Sequence, residues 1–244
     1  MTGLFLIRDA SMKTVAIVPA GGSGKRMGGG IPKQYLPLGG IPVLVRSLQA
    51  FQSAQAVDEI FLVVPEGDIP EVQKTVVGRY RLSKVSQVVA GGARRQDSVK
   101  NALVHLREEH GIVLVHDGVR PFVSGGLIQR VIDAAIAEGA AALGVPVKDS
   151  VKEANAAGWV IRTVSREGLW LTQTPQAFRK TLILAAYERA AADGFCGTDD
   201  ASLVERMGAP VRMIPGDCHN IKVTTPEDLV MGEALLRQGL LEKG

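Results

Sequence analysis

At 244 residues, 46% of them hydrophobic and 22% charged, the chain is long enough to bury a large core without disulfides or structural metals, and its composition excludes a disordered polypeptide. The net charge of +3 and 5% aromatic content suit a small anionic ligand and fall short of a basic, aromatic-interleaved nucleic-acid surface, so no nucleic-acid partner is expected. No apolar run approaches the roughly 20 residues of a membrane span, residues 3–7 are too short for a signal-peptide core, and Cys196 and Cys218 lack a paired spacing, so a cytoplasmic protein with reduced thiols and no membrane partner is expected.

Short apolar runs alternate with helical patterns along the chain, which predicts an α/β fold: a Rossmann-like, mostly parallel sheet flanked by helices. Met12-Lys13 directly precedes the first strand, residues 15–18, so Met12 is the expected natural start. A helix with Pro42 in its first turn follows over 42–51, then strands over 59–64 and 85–89. Val99, Ala102, Leu103 and Leu106 stand at i, i+3, i+4, i+7 and predict one apolar helix face. Residues 112–115 read as a buried central strand. Ser124 is placed as an N-cap, Gly139 as the stop of that helix, and 140–147 as the next strand.

The rhythm changes between 147 and 166. Two strand-like stretches flank the turn residues Asn155 to Gly158, which predicts a β-hairpin arm. An isolated hairpin is marginal in water, so this one is expected to pack on a second subunit. A helix over 180–193, a strand over 211–214 and a closing helix capped by Thr225, Pro226 and Asp228 complete one domain, 1–244, with the arm as a subregion.

The chemistry begins at Pro19-Ala20-Gly21-Gly22-Ser23-Gly24-Lys25-Arg26. A glycine loop after a buried strand lies where open α/β sheets bind ligands, and it lets backbone N–H groups approach phosphate oxygens. It is not a Walker A loop, because Pro19 and Arg26 stand where Gly and Ser or Thr are needed. It is not a dinucleotide fingerprint either, because Met27 replaces the third glycine. No Asp or Glu occurs between positions 10 and 57, whereas Lys13, Lys25, Arg26, Lys33 and Arg46 do. A purely cationic stretch around a glycine loop suits a polyphosphate. Asp117 follows an apolar strand, where an idle carboxylate is costly; pairing with Arg120 and a functional role both remain open.

The loop followed by Pro32-Lys33-Gln34-Tyr35 resembles the nucleotidyltransferase superfamily. Gly91-Gly92-Ala93-Arg94-Arg95-Gln96-Asp97-Ser98, Val115-His116-Asp117-Gly118-Val119-Arg120-Pro121, Thr163-Val164-Ser165-Arg166, Gln173-Thr174-Pro175-Gln176, Thr198-Asp199-Asp200 and the segment from Asn220 to Asp228 follow in the order of the 2-C-methyl-D-erythritol 4-phosphate cytidylyltransferase family. That resemblance implies transfer of CMP from CTP to methylerythritol phosphate, with pyrophosphate released. It implies that Ala20, Gly21, Gly22, Gly24, Gly92, Ser98, Asp117 and Gly118 hold the nucleotide, and that Arg26 and Lys33 stabilise charge on the triphosphate. It assigns Asp117, Arg120, Ser150, Arg166, Thr174 and Lys222 to the acceptor, with Arg166 and Lys222 catalytic. Asp117 would meet a Mg2+ carried largely by the CTP phosphates. The arm arginine would be donated across a homodimer. Ala93 and Ser150 depart slightly from the family pattern, in residues of fine substrate contact. Ribitol 5-phosphate cytidylyltransferases share the fold and most of these motifs, and a non-catalytic nucleotide-binding module is the rival from another class. His116 is expected to support the Asp117 loop, and Asp199 and Asp200 are read as helix-capping in preference to a metal pair.

Overall fold

The computed structural model describes residues 12–22 and 32–239. Strand β1 (Lys13–Pro19) is followed, beyond a 3-10 turn at Lys33–Tyr35, by the small antiparallel pair β2 (Pro37–Leu38) and β3 (Ile41–Pro42) and by helix α1 (Val43–Ser53). Then come β4 (Glu59–Val64), the short helix α2 (Ile69–Val72) running into a π-helical turn, β5 (Val85–Ala90), α3 (Arg95–Leu103), β6 (His110–Val115), α4 (Gly125–Glu138) and β7 (Ala140–Pro146). The hairpin β8 (Val151–Ala154) and β9 (Val160–Val164) precedes the long β10 (Trp170–Arg179). Helices α5 (Lys180–Ala192) and α6 (Asp200–Arg206), strand β11 (Arg212–Pro215) and helix α7 (Pro226–Arg237) complete the order.

Seven strands form one sheet in the order β11-β7-β10-β6-β1-β4-β5. All neighbours are parallel except β10, which runs antiparallel to both β6 and β7. The mostly parallel α/β expectation holds. The period-2 alternation of β1 and β4 explains the layering. Ala16, Val18, Ile60 and Leu62 face Leu44 and Leu48 of α1 and Ile128 and Ile132 of α4. Val15, Ile17, Phe61 and Val63 face Val99 of α3, Ile183 and Tyr187 of α5, and Val204 of α6. Each strand is therefore apolar on both sides, as a sheet covered on both faces requires. No described helix is long and apolar enough to cross a membrane.

Local signals act where the sequence places them. Ser124 Oγ accepts from Leu127 N–H, and Gly139 ends α4 at φ 94°. Thr225 and Asp228 cap α7 reciprocally. The arm forms as expected: β8 and β9 pair antiparallel, Asn155 Oδ1 accepts from Ala157 and Trp159 N–H, and Gly158 takes the positive φ of the turn. Residues 152–163 are all exposed.

Two local readings shift. Pro42 caps α1 from outside, because it is already held in β3. Leu106 lies beyond the end of α3 yet still packs on the same face. β10 and α6 carry no periodic signature of their own. Trp170 to Arg179 is polar and interrupted by Pro175, and it forms a strand because both of its neighbours supply ladders.

Candidate active site

Parallel strands β1, β4, β5 and β6 end on one edge of the sheet, where the segments after β1, β5 and β6, with Lys33, Gln34 and Lys222, line a cavity of about 400 Å³. Main-chain hydrogen bonds lock these loops together: Ala20 N–H donates to Val63 O at 2.7 Å, Gly91 N–H to Val64 O at 2.8 Å and Gly118 N–H to Pro19 O at 3.2 Å. Ala20, Gly21 and Gly22 line the cavity opposite Gly92 and Ser98. Lys33 reaches in from the 3-10 turn, and a Cβ on Gly22 would sit 3.9 Å from its Nζ. Gly24 and Arg26 lie outside the described residues.

The β5–α3 turn needs its glycine. A Cβ on Gly92 would fall 2.5 Å from Asp97 Cβ, because the first turn of α3 folds back over it. Ser98 Oγ accepts from Gly92 N–H at 3.0 Å and lies 3.1 Å from Arg94 O. Its hydroxyl therefore shapes the turn that faces the cavity. Arg94 is clamped on Asp97 through two side-chain hydrogen bonds of 2.9 Å.

Asp117, 7% exposed, sits at the centre. Arg95 Nε donates to its Oδ1 at 3.0 Å, and Lys222 Nζ meets its Oδ2 at 2.7 Å. Arg120 Nε stands 3.7 Å from that same Oδ2. Burial works against the charge, but Arg95, Lys222 and Arg120 outweigh it and hold the Asp117 carboxyl well below the usual carboxylate range. Pairing with Arg120 and a place in the cavity thus coexist. Arg95 Nη1 also donates to Asp200 Oδ2 at 2.7 Å. Three cations face two carboxylates in this cluster. The surplus positive charge, with Lys33 nearby, suits an anionic ligand.

The platform under Asp117 is polar and nearly closed. Asp117 N–H donates to Thr174 Oγ1 at 3.0 Å, Thr174 Oγ1 stands 3.2 Å from His116 Nδ1, and His116 Nε2 stands 3.0 Å from Arg120 O. One tautomer satisfies all three contacts: the threonine hydroxyl donates to Nδ1 and Nε2–H donates to the carbonyl. Burial pushes the His116 pKa down to about 4, so the ring is neutral at pH 7. His116 supports the Asp117 loop as the sequence suggested. Thr174 lies beneath Asp117 with its hydroxyl engaged there. The Lys222 loop is stitched to the same platform, since Asn220 Nδ2 donates to Thr174 O and Arg120 Nη1 to Asn220 O.

Arg166 and Ser150 stand apart from this cavity. Both are exposed at the base of the arm, and the Arg166 guanidinium bonds Lys148 O. Asp199 caps α6 by accepting from Ser202 N–H, as expected. Its neighbour Asp200 instead points into the core, 1% exposed, where it binds Arg95 and Tyr187 Oη. Sequence reasoning missed Arg95, Asp200 and Tyr187 as one unit. Arg95 lay within a quoted motif, but nothing in its spacing disclosed two carboxylate partners.

Among the described residues, Asp117 is the one carboxylate lining the cavity. A single carboxylate suits a Mg2+ that keeps most of its shell from water and substrate phosphates. Its Oδ2, now shared with Lys222, is the oxygen such an ion would take.

Comparison with known proteins places these features in a family. The model of 2-C-methyl-D-erythritol 4-phosphate cytidylyltransferase matches residues 14–238. The cytidylyltransferase of that name from Syntrophus aciditrophicus is 51% identical over 93% of this chain and 97% of its own. The one from Geotalea uraniireducens is 50% identical over 93% and 97%. The crystal structure of 4-diphosphocytidyl-2C-methyl-D-erythritol synthase from Anaerococcus prevotii superposes with a TM-score of 0.82 at 34% identity, covering 93% of this chain and 97% of that one. The Thermus thermophilus cytidylyltransferase structure superposes at 0.78 and 36% identity, covering 93% and 100%.

Proposed function

The chain belongs to the 2-C-methyl-D-erythritol 4-phosphate cytidylyltransferase family, and on that premise we propose how its own residues carry out the reaction. The enzyme transfers CMP from CTP to 2-C-methyl-D-erythritol 4-phosphate in non-mevalonate isoprenoid synthesis. Family membership takes the methylerythritol side of the choice the sequence left open with ribitol phosphate, and the catalytic side of the choice between enzyme and binding module.

CTP lies across the carboxyl edge of the sheet. The N–H groups of Gly21 and Gly22, with Gly24, receive its phosphates beside Ala20, whose own N–H is held by Val63 O, and Lys33 and Arg26 supply point charges. The Gly92–Ser98 turn faces the nucleoside. The acceptor phosphate attacks the α-phosphorus, and pyrophosphate leaves. Such a reaction needs positioning and charge stabilisation more than covalent help from the protein. Lys33 and Arg26 stabilise the triphosphate as charge moves toward the leaving pyrophosphate. Lys222 orients the acceptor phosphate once it leaves Asp117, and Asp117 is the residue that would hold the Mg2+ carried by CTP. The metal's contribution is to neutralise phosphate charge.

We read the chain as one catalytic domain whose arm serves a second copy. Arg166 and Ser150 stand away from the cavity, on an arm that exposes Trp159 (75%), Val160 (59%) and Ile161 (60%) to solvent. A homodimer would cover these side chains and bring Arg166 to the partner's acceptor phosphate. Two exposed free thiols suit the reducing cytoplasm. The observation that carries the reading is the cationic cluster around Asp117, opened onto a glycine-lined cavity.

The direct test measures pyrophosphate release from CTP and methylerythritol phosphate with Mg2+, with ribitol 5-phosphate as control. Release with the first acceptor and little with the second is expected. Preference for ribitol phosphate would contradict the acceptor, and release without Mg2+ would contradict the metal's role.

A further inference from the structure

We infer that Arg95 is a positioning residue for Asp117, anchored from behind by Asp200 and Tyr187. The inference rests on the reading that Asp117 works on the substrates.

The two oxygens of Asp117 are held differently. Oδ2 meets Lys222, whose side chain is 41% exposed. That contact can be exchanged for a phosphate or a cation without opening the core. Oδ1 meets Arg95 Nε, and the same guanidinium gives Nη1 to Asp200. A planar fork fixed at two points cannot swing, which a lysine ammonium at that place could.

The far end of the fork is itself anchored. Asp200 Oδ1 accepts from Tyr187 Oη at 2.5 Å. Burial and then the adjacent Asp200 push the Tyr187 pKa upward, so the phenol stays a donor. Asp200 opens α6, and this helix start is tied to β10. Gln176 Oε1 accepts from Ala201 N–H at 2.9 Å, and Gln176 Nε2 donates to Asp199 at 2.8 Å. Gln176 in turn pairs with Val115, two residues before Asp117. The route from β6 runs through Asp117, Arg95 and Asp200 to the start of α6, and returns through Gln176, which holds the residues on either side of Asp200 and pairs with β6. A route of this kind sets where Oδ1 sits, so Oδ2 is the oxygen left to face the substrates.

Neither Asp200 nor Tyr187 lines the cavity, so changes there reach catalysis only through Arg95. An ion pair that merely stabilises the core would alter melting and leave turnover unchanged at temperatures where the protein is folded.

The test compares Arg95→Lys, Asp200→Asn and Tyr187→Phe with Asp117→Asn in the full chain, measuring melting, kcat and KM for CTP. Arg95→Lys and Asp200→Asn are expected to lower kcat by about 10- to 100-fold, the scale of a misplaced reacting group. KM for CTP should stay within about threefold, since nucleotide contacts are untouched in a positioning defect. Tyr187→Phe removes one hydroxyl, keeps every charge and should give the same pattern at smaller size. It also decides the matter if Arg95→Lys does not fold. Wild-type kcat in folded Asp200→Asn and Tyr187→Phe, beside an impaired Asp117→Asn, would overturn the positioning role alone. An unimpaired Asp117→Asn would overturn the site reading and the inference with it.

Discussion

The cradle around Asp117 and the arm around Trp159 solve opposite problems with the same chain. In the cradle, buried polar groups are tied to one another: Asp117, Thr174, His116 and Asn220 are within 7% exposure and bonded in one chain, and Asp200 joins it through Arg95. In the arm, Trp159, Val160 and Ile161 are apolar and exposed, and the local ion pair Arg162–Glu153 lies on the surface. Buried polar networks are costly to break, whereas exposed pairs contribute little. The difference teaches that cradle variants should lose stability and turnover together. Arm variants should lose turnover while each subunit stays folded.

The largest effect is expected at Asp117. Asp117→Asn should lower kcat by about 10²–10³-fold, as for removal of other charge-positioning groups, and should lower stability by up to about 3 kcal/mol, because it leaves buried cations underpaired. Steady-state kinetics with urea unfolding checks both, and loss of either one alone would blur the contrast. Lys33→Ala should cost turnover on the same scale, about 10²–10³-fold, with little change in melting, because Lys33 reaches into the cavity from a short surface turn.

Arg166→Ala should lower turnover by about 10²-fold through a misplaced acceptor, with no change in melting temperature, which differential scanning fluorimetry measures. In the proposed dimer, Trp159→Ser with Ile161→Ser should give monomer in sedimentation velocity and lower activity by roughly 10-fold at dilute enzyme, through mass action on a site completed by two subunits. An unchanged sedimentation coefficient would remove the arm from the interface.

The last effect bears on stability at acid pH and leaves turnover near pH 7 unchanged. His116 is neutral in the native protein, with its pKa pushed down by burial from 6.5 to about 4. Between those values the unfolded chain binds a proton that the folded chain refuses, so stability falls as pH drops through that window, by roughly 3 kcal/mol in all. Urea midpoints at pH 7, 6, 5 and 4 check this in wild type and in His116→Gln. The variant should lose the part of the slope that arises between pH 6.5 and 4.

The same contrast marks what the sequence disclosed. The sheet was legible because β1, β4 and β6 are apolar on both faces and are separated by helices with ordinary caps such as Ser124 and Thr225. The hairpin was legible because Asn155 and Gly158 punctuate it. Asp117, Lys33 and Lys222 were legible through motif order. What stayed hidden was pairing across long separations. Arg95 meets Asp200 from 105 positions away, and no local periodicity encodes that. β10 was hidden for a related reason: its polar sequence becomes a strand only between β6 and β7.

Mixing subunits tests the division between cradle and arm most directly. Arg166→Ala removes the arm arginine, and Lys222→Ala removes a cradle cation. Each homodimer alone should be nearly inactive. After the two are unfolded together and refolded at equal amounts, half of the dimers are mixed and each mixed dimer carries one intact site, so about one quarter of wild-type activity should return in a two-fold symmetric enzyme. Activity no greater than the sum of the two parents would contradict a site completed by the partner's arm.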